Sequence, residues 1–436
     1  MASAPLLDLA ADIVKNATVV REFLTQAGHS QPSFSPDGPA KFPADAGEDV
    51  VAARTQLIYA ARQLQLLVLG PTESLQWFAL TGALDTATLR WLYHFDVPTS
   101  VPKDGSITFV ELALKLKVSQ RTLTRILRHA MTNNIFREPS FGSVAHTSLS
   151  LRLAEEGNSI RGVVGHQMET VFPAVSRMVE AHEKYGTDDD CATHAPFHVA
   201  FDTEMRALDW VAGDLVRSAR FTESMKGGAS TGPFSTAHTV SGFDWKGLGE
   251  AVVVDVGIFT SVRSVGGSAG QVSKAIAASA PKLRFVIQDQ PSMVAEGEAE
   301  LEDSLQDRFV FQHHDLFEKN PETALAVFLL RLILHDWPDR DAVVILRQVV
   351  RKMGPTTRLL INDAVVPVPG SVHPLQEKYI RNVDMMMLSM LNGLERTRKD
   401  WEALIEETDP GLRIVSIVKP QGSALSMIEV ARGCRR

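Results

Sequence analysis

Six short apolar runs in the second half of the chain limit its fold more than anything else: Ala251 to Val256, Leu283 to Gln288, Arg308 to Phe311, Ala326 to Leu330, Arg358 to Ile361 and Leu412 to Val418. Helical patterns separate them. Runs of four to seven residues, too short for helices and rich in Val, Ile and Phe, read as strands, and their alternation with helices implies an α/β fold with a largely parallel sheet covered on both faces. In such sheets ligands bind beyond the carboxyl ends of the strands. Two segments placed there carry chemistry: Leu332-Ile333-Leu334-His335-Asp336-Trp337-Pro338-Asp339 and Asn392-Gly393-Leu394-Glu395-Arg396-Thr397.

The first half differs. Leu6 to Ala27 has helical spacing and is followed by a Pro, Ser and Gly-rich stretch through Gly47, read as a linker. Val50 to Leu69 forms an apolar helix ended by Gly70-Pro71, and another helix starts at Thr72. These helices carry more apolar surface than a small bundle hides, so a second subunit is expected to cover them. Ile107 to Leu116 and Ser119 to Met131 form a helix pair. With Ile135 to Glu138 and Val144 to Thr147 as a hairpin, this is a winged-helix pattern. Arg121, Arg125, Arg128 and His129 on its second helix suit either a DNA recognition face or a solvated face of a dimerisation module. Three modules are expected: residues 1–150, helical and winged-helix; residues 151–240, a helical connector; and residues 241–436, the α/β domain.

A formal charge of −8 over 436 residues gives no global attraction to nucleic acid or anionic membranes. Only Cys191 and Cys434 are present, which leaves no disulfide framework and no cysteine metal site. Asp8 and Asp12 interrupt the first apolar stretch and argue against a signal peptide, and no run approaches the roughly 18 apolar residues of a membrane span. A cytoplasmic protein is expected. His313 and His314 have no partner at metal-ligand spacing.

Asp255-Val256-Gly257 ends the first strand, glycines at 266, 267 and 270 lead into a helix, and Asp289 closes the second strand about 20 residues later. Glycines allow close backbone approach to a nucleotide, and the later acid takes ribose hydroxyls. This pattern alone equally suits a nicotinamide enzyme. His335, with an unperturbed pKa near 6.5, is mostly neutral at pH 7 and suited to accept a proton. Asp336 is expected to point away from it, because consecutive side chains usually diverge.

Together the His-Asp-Trp and Gly-Leu-Glu-Arg-Thr segments resemble the signatures of fungal S-adenosylmethionine-dependent O-methyltransferases of the plant caffeate and flavonoid type. The resemblance covers roughly residues 50–436, with its specific motifs between 250 and 400. It implies a Rossmann-like S-adenosylmethionine-binding domain preceded by an all-α and winged-helix dimerisation domain, a homodimer, and a small aromatic acceptor. It further implies His335 as general base with Glu395 and Asp363 as carboxylate partners. For the cofactor it implies Gly257, Gly267, Gly270, Asp289, Asp315, Leu316 and Arg331. Asp315 has the competing role of capping the following turn. For the acceptor, Met387, Met390, Asn392, Asp336 and Trp337 are the candidates, with Phe221 and Met225 behind them. The methionines also suit plain core packing. The chain departs from the family in about nine extra residues, Ile258 to Gly266, between Asp-Val-Gly and Gly-Ser-Ala-Gly. Two other functions stay open: a pericyclase that keeps the cofactor as a bound cation, and a winged-helix DNA-binding regulator.

Overall fold

The computed structural model describes residues 6–155, 159–230, 232–257, 270–289, 291–322 and 326–433. Gly267 and the extra residues Ile258 to Gly266 lie outside them. The chain divides into two compact units, Met1–Glu169 and Thr170–Arg436, so part of the expected connector groups with the α/β unit.

In the first unit, helix Leu6–Gln26 packs on the long helix Glu48–His94. The latter breaks where expected, at Gly70 with φ 70° and ψ 173°, just before Pro71. From just before the break onward Val68, Leu75, Trp77, Phe78, Leu80 and Leu84 are exposed. Helices Phe109–Leu116 and Gln120–Thr132 form the expected pair, closed around Leu112, Leu123, Leu127 and Phe136. The wing is smaller than the sequence suggests. Ser143–Val144 pairs with Ile107–Thr108, and a single bridge links Arg137 to Ala145.

In the second unit all six runs are strands: β1 Val252–Val256, β2 Arg284–Asp289, β3 Phe309–His313, β4 Val327–Arg331, β5 Arg358–Asp363 and β6 Leu412–Val418. A seventh, β7 Ser426–Arg432, was not anticipated. The sheet order is β6-β7-β5-β4-β1-β2-β3. β1 to β5 pair in parallel, whereas β7 pairs antiparallel with β5 and with β6.

Alternate residues feed two apolar layers, as buried parallel strands require. Val254, Val256, Phe328 and Leu330 meet helices Asp339–Val350 and Arg398–Thr408 on one face. Val253, Phe285, Ile287 and Leu329 meet helix Gln271–Ser279 on the other. Burying one such side chain contributes roughly 1.5–3 kcal/mol, which holds the strand ends, and the segments beyond them, in fixed register. No helix among the described residues is long and apolar enough to cross a membrane.

Candidate active site

The chain leaves β4 through Leu332, whose φ is 53°, and enters the tight turn Leu334–Asp336. Ile333 and Leu334 are buried and pin the turn. The Leu332 N–H donates to Asn362 O at 3.2 Å, and the Leu334 N–H to Asp363 Oδ2 at 3.2 Å. In a strand His335 and Asp336 would diverge; on a three-residue turn successive side chains are only about 120° apart. Asp336 Oδ1 therefore lies 3.4 Å from His335 Nε2. The expectation that it points away does not hold.

The Gly-Leu-Glu-Arg-Thr segment lies directly on this turn. Helix Pro374–Leu391 ends at Asn392, in the left-handed conformation. At Gly393 a Cβ would sit 2.3 Å from His335 O and 2.8 Å from the Asp336 carbonyl carbon, so only glycine allows the approach. The Leu394 N–H donates to His335 O at 3.1 Å. His335 Nδ1 and Glu395 Oε1 are 2.8 Å apart. Arg396, fully buried, donates to Leu334 O at 2.6 Å, Trp337 O at 2.8 Å and Asp339 Oδ1 at 2.8 Å. It thereby closes both ends of the His-Asp-Trp turn. Sequence reasoning assigned no role to Gly393 or Arg396; an arginine beside a catalytic-type glutamate was the available signal.

Burial by itself would lower the His335 pKa, but Asp336, Glu395 with its hydrogen bond, and Asp363 outweigh it and push the imidazole up to about 10. Asp336 is pushed up to about 6, chiefly by burial and further by Asp363 and Glu395, against the pull of His335. Asp363 is also pushed up to about 6 by burial, opposed by His335. At neutral pH the resting histidine is thus an imidazolium, contrary to the neutral ring expected from its ordinary pKa. Asp363 Oδ1, Glu395 Oε2 and Trp337 Nε1 are buried with no hydrogen-bond partner among the described residues.

β1 runs between β2 and β4, so Gly257 follows the strand beside the one that leads to His335, and Asp289 ends the next strand over. A Cβ on Gly257 would lie 2.3 Å from Asp289 Oδ2, and Gly270, with φ 71°, precedes helix Gln271–Ser279. Asp289 is buried. A glycine cradle pressed on a buried strand-end carboxylate fits a ribose-bearing cofactor. Asp315 Oδ1 accepts the Phe317 N–H at 2.9 Å, so the competing capping role is present, and Leu316 is buried in the core beneath it. Arg331 does not offer an open guanidinium: it donates to Thr239 Oγ1 at 3.2 Å and Phe234 O at 2.6 Å.

The acceptor candidates separate. Met387 and Trp337 are buried, and the Trp337 ring meets Phe317 edge-on at 5.0 Å. Met390 packs with Val171, Ala174, Phe197 and Ala207. The Asn392 amide donates to Asp189 O at 2.8 Å and Cys191 O at 3.1 Å, anchoring that loop. Phe221 is half-buried and Met225 exposed.

The sequence model of the O-methyltransferase domain matches residues 246–409, and that of the O-methyltransferase dimerisation domain matches residues 77–156. An "Hps1-dma1 cluster O-methyltransferase" of Dothistroma septosporum is 37% identical, covering 98% of this chain and 96% of that protein. The chain belongs to the O-methyltransferase family. As a member it is an S-adenosylmethionine-dependent O-methyltransferase. Two solved structures share the family fold with this chain. The crystal structure of OxaC in complex with sinefungin and meleagrin has a TM-score of 0.76 at 21% identity, covering 98% of this chain and 99% of that one. "A Pericyclic Reaction enzyme" has a TM-score of 0.70 at 20% identity, covering 96% and 100%.

Proposed function

We propose that this O-methyltransferase methylates a hydroxyl of a phenolic or polyketide-like secondary metabolite, with His335 as general base. The observation that carries the reading is the 2.8 Å contact between His335 Nδ1 and Glu395 Oε1, in a buried acidic cluster one strand from the glycine cradle. When bound, S-adenosylmethionine supplies an electrophilic methyl group on a positively charged sulfur. Asp289 takes the ribose hydroxyls, Gly257 and Gly270 let the backbone approach, and Leu316 with Asp315 sets the adenine side. Asp289→Ala is expected to weaken S-adenosylmethionine binding by about 1.5–3 kcal/mol, the range for a charged hydrogen bond. Unchanged affinity by calorimetry would remove Asp289 from the set.

His335 accepts the hydroxyl proton at Nε2 while Glu395 keeps Nδ1–H oriented. A phenol has a pKa near 10. Passing its proton to an ordinary imidazole is uphill by about 5 kcal/mol, whereas a ring held at about 10 makes the transfer nearly level. The cost is that little neutral ring exists at pH 7. Methyl transfer should therefore rise with pH above 7. Asp336→Asn removes the negative charge 3.4 Å from Nε2 and should move the midpoint of that rise downward by about one pH unit or more. A wild-type profile flat from pH 7 to 9 would contradict this account.

The resting imidazolium also favours a second reading. A charged ring donates a hydrogen bond to a carbonyl without taking a proton, as a pericyclase would require. Mass spectrometry separates the two: a product heavier by one methylene supports methyl transfer, and an isomer of unchanged mass supports the pericyclase.

The exposed apolar row on Glu48–His94 supports a homodimer formed through the N-terminal module, and a monomer in sedimentation equilibrium at micromolar concentration would overturn it. Arg128 is engaged by Glu138 at 2.9 Å, which weakens the DNA-binding alternative. We place the enzyme in the cytoplasm because its cysteine usage fits a reducing compartment. The connector, residues 151–240, gives its part from Thr170 onward to the α/β unit, and the acceptor pocket draws on Met387, Trp337 and Asp336.

A further inference from the structure

We infer that Asp384 is a positioning residue for the reaction, acting on His335 through the backbone of Glu395. Asp384 lies on helix Pro374–Leu391, two turns before its end. Its Oδ1 accepts the Glu395 N–H at 2.9 Å, across 11 residues that include the left-handed Asn392 and the pressed Gly393. Glu395 then reaches His335 Nδ1 at 2.8 Å. A turn carrying glycine between two such points has little rigidity of its own. The carboxylate of Asp384 supplies it by tying the start of the Glu395 side chain to a helix.

The interaction is made where it is strong. Asp384 is partly desolvated, and a hydrogen bond to an ionised acceptor is stronger there than one exposed to water. The charged groups that face it are Glu395 from the turn and Arg381 from its own helix. Arg381 is engaged by Glu377 at 2.9 Å, which leaves the Glu395 N–H as the polar group that Asp384 orients.

The inference rests on the catalytic reading of His335, but its test needs no methyl transfer. In the full-length protein with 13C-labelled histidines, the His335 signal is assigned by its loss in His335→Gln and titrated by NMR. Asp384→Ala removes both the charge and the acceptor and should lower the His335 midpoint by about one unit or more, because Glu395 loses its fixed distance to Nδ1. Asp384→Asn removes the charge but keeps an acceptor oxygen, and its midpoint should stay within about half a unit of wild type. Equal falls in both variants would mean that Asp384 acts only by its charge, and no fall in Asp384→Ala would mean that it does not act on His335; either overturns the inference. Should Asp384→Ala not fold, amide exchange in the wild-type protein decides: a protected Glu395 N–H supports it, and exchange at the rate of an open loop overturns it.

Discussion

His335→Gln lowers the methyl transfer rate by about 10²-fold or more, the contribution typical of a positioned general base. S-adenosylmethionine affinity, read by calorimetry, changes by less than about 1 kcal/mol, because the glycine cradle and Asp289 belong to β1 and β2 rather than to the His-Asp-Trp turn. Glutamine can still donate to Glu395, so the turn keeps its shape while the proton acceptor is lost. A second signature comes from linkage. His335 has a folded pKa above its unfolded value near 6.5, so its stabilising contribution is complete below about pH 6.5 and disappears as pH rises through about 10. Wild-type enzyme should lose stability over that alkaline window, and the variant should lose less. A fully active His335→Gln enzyme would leave His335 a merely structural part of the turn.

Arg396→Met should cost about 1–3 kcal/mol, since Trp337 O loses its donor in a buried site, while Leu334 O keeps the Trp337 N–H at 3.3 Å. For a unit of this size that is a fall in melting temperature of about 2–6 °C. Asp339→Asn should cost less than about 1 kcal/mol, because that end of the ion pair is 55% exposed. Similar losses in the two variants would show that the ion pair, and not the bond to Trp337 O, holds the turn.

Much of this architecture is legible in the sequence because its signals are local. The six apolar runs became strands, Gly70-Pro71 broke its helix, and the two catalytic-type motifs came together. What escaped depends on contacts that no local pattern records. β7 was missed because Ser426 to Arg432 mixes charge and apolar residues, as a strand of an antiparallel hairpin can. Asp336 faces His335 because the chain makes a tight turn at Leu334–Asp336, where extended backbone would separate the two side chains. The histidine's charge was misjudged for the same cause: an ordinary pKa was assigned before its three carboxylate neighbours were known. Asn392 was read as pocket lining, yet its amide serves the backbone at Asp189 and Cys191. Asp384 sits in a methionine-rich helix, and no local pattern signals a bond from its carboxylate to a backbone N–H 11 residues on.

The closeness of Gly393 to His335 has a consequence for altering acceptor choice by exchanging segments between relatives. The two motifs stand about 60 positions apart along the chain, yet they share one steric surface with no space for a single added carbon. A donor helix that enters this contact at a slightly different pitch would push on the carbonyl of the proton-accepting residue itself. Crossovers placed between Asp384 and Arg396 should therefore produce enzymes that bind the new acceptor but turn it over slowly. Crossovers outside residues 332–397 should transfer specificity and rate together.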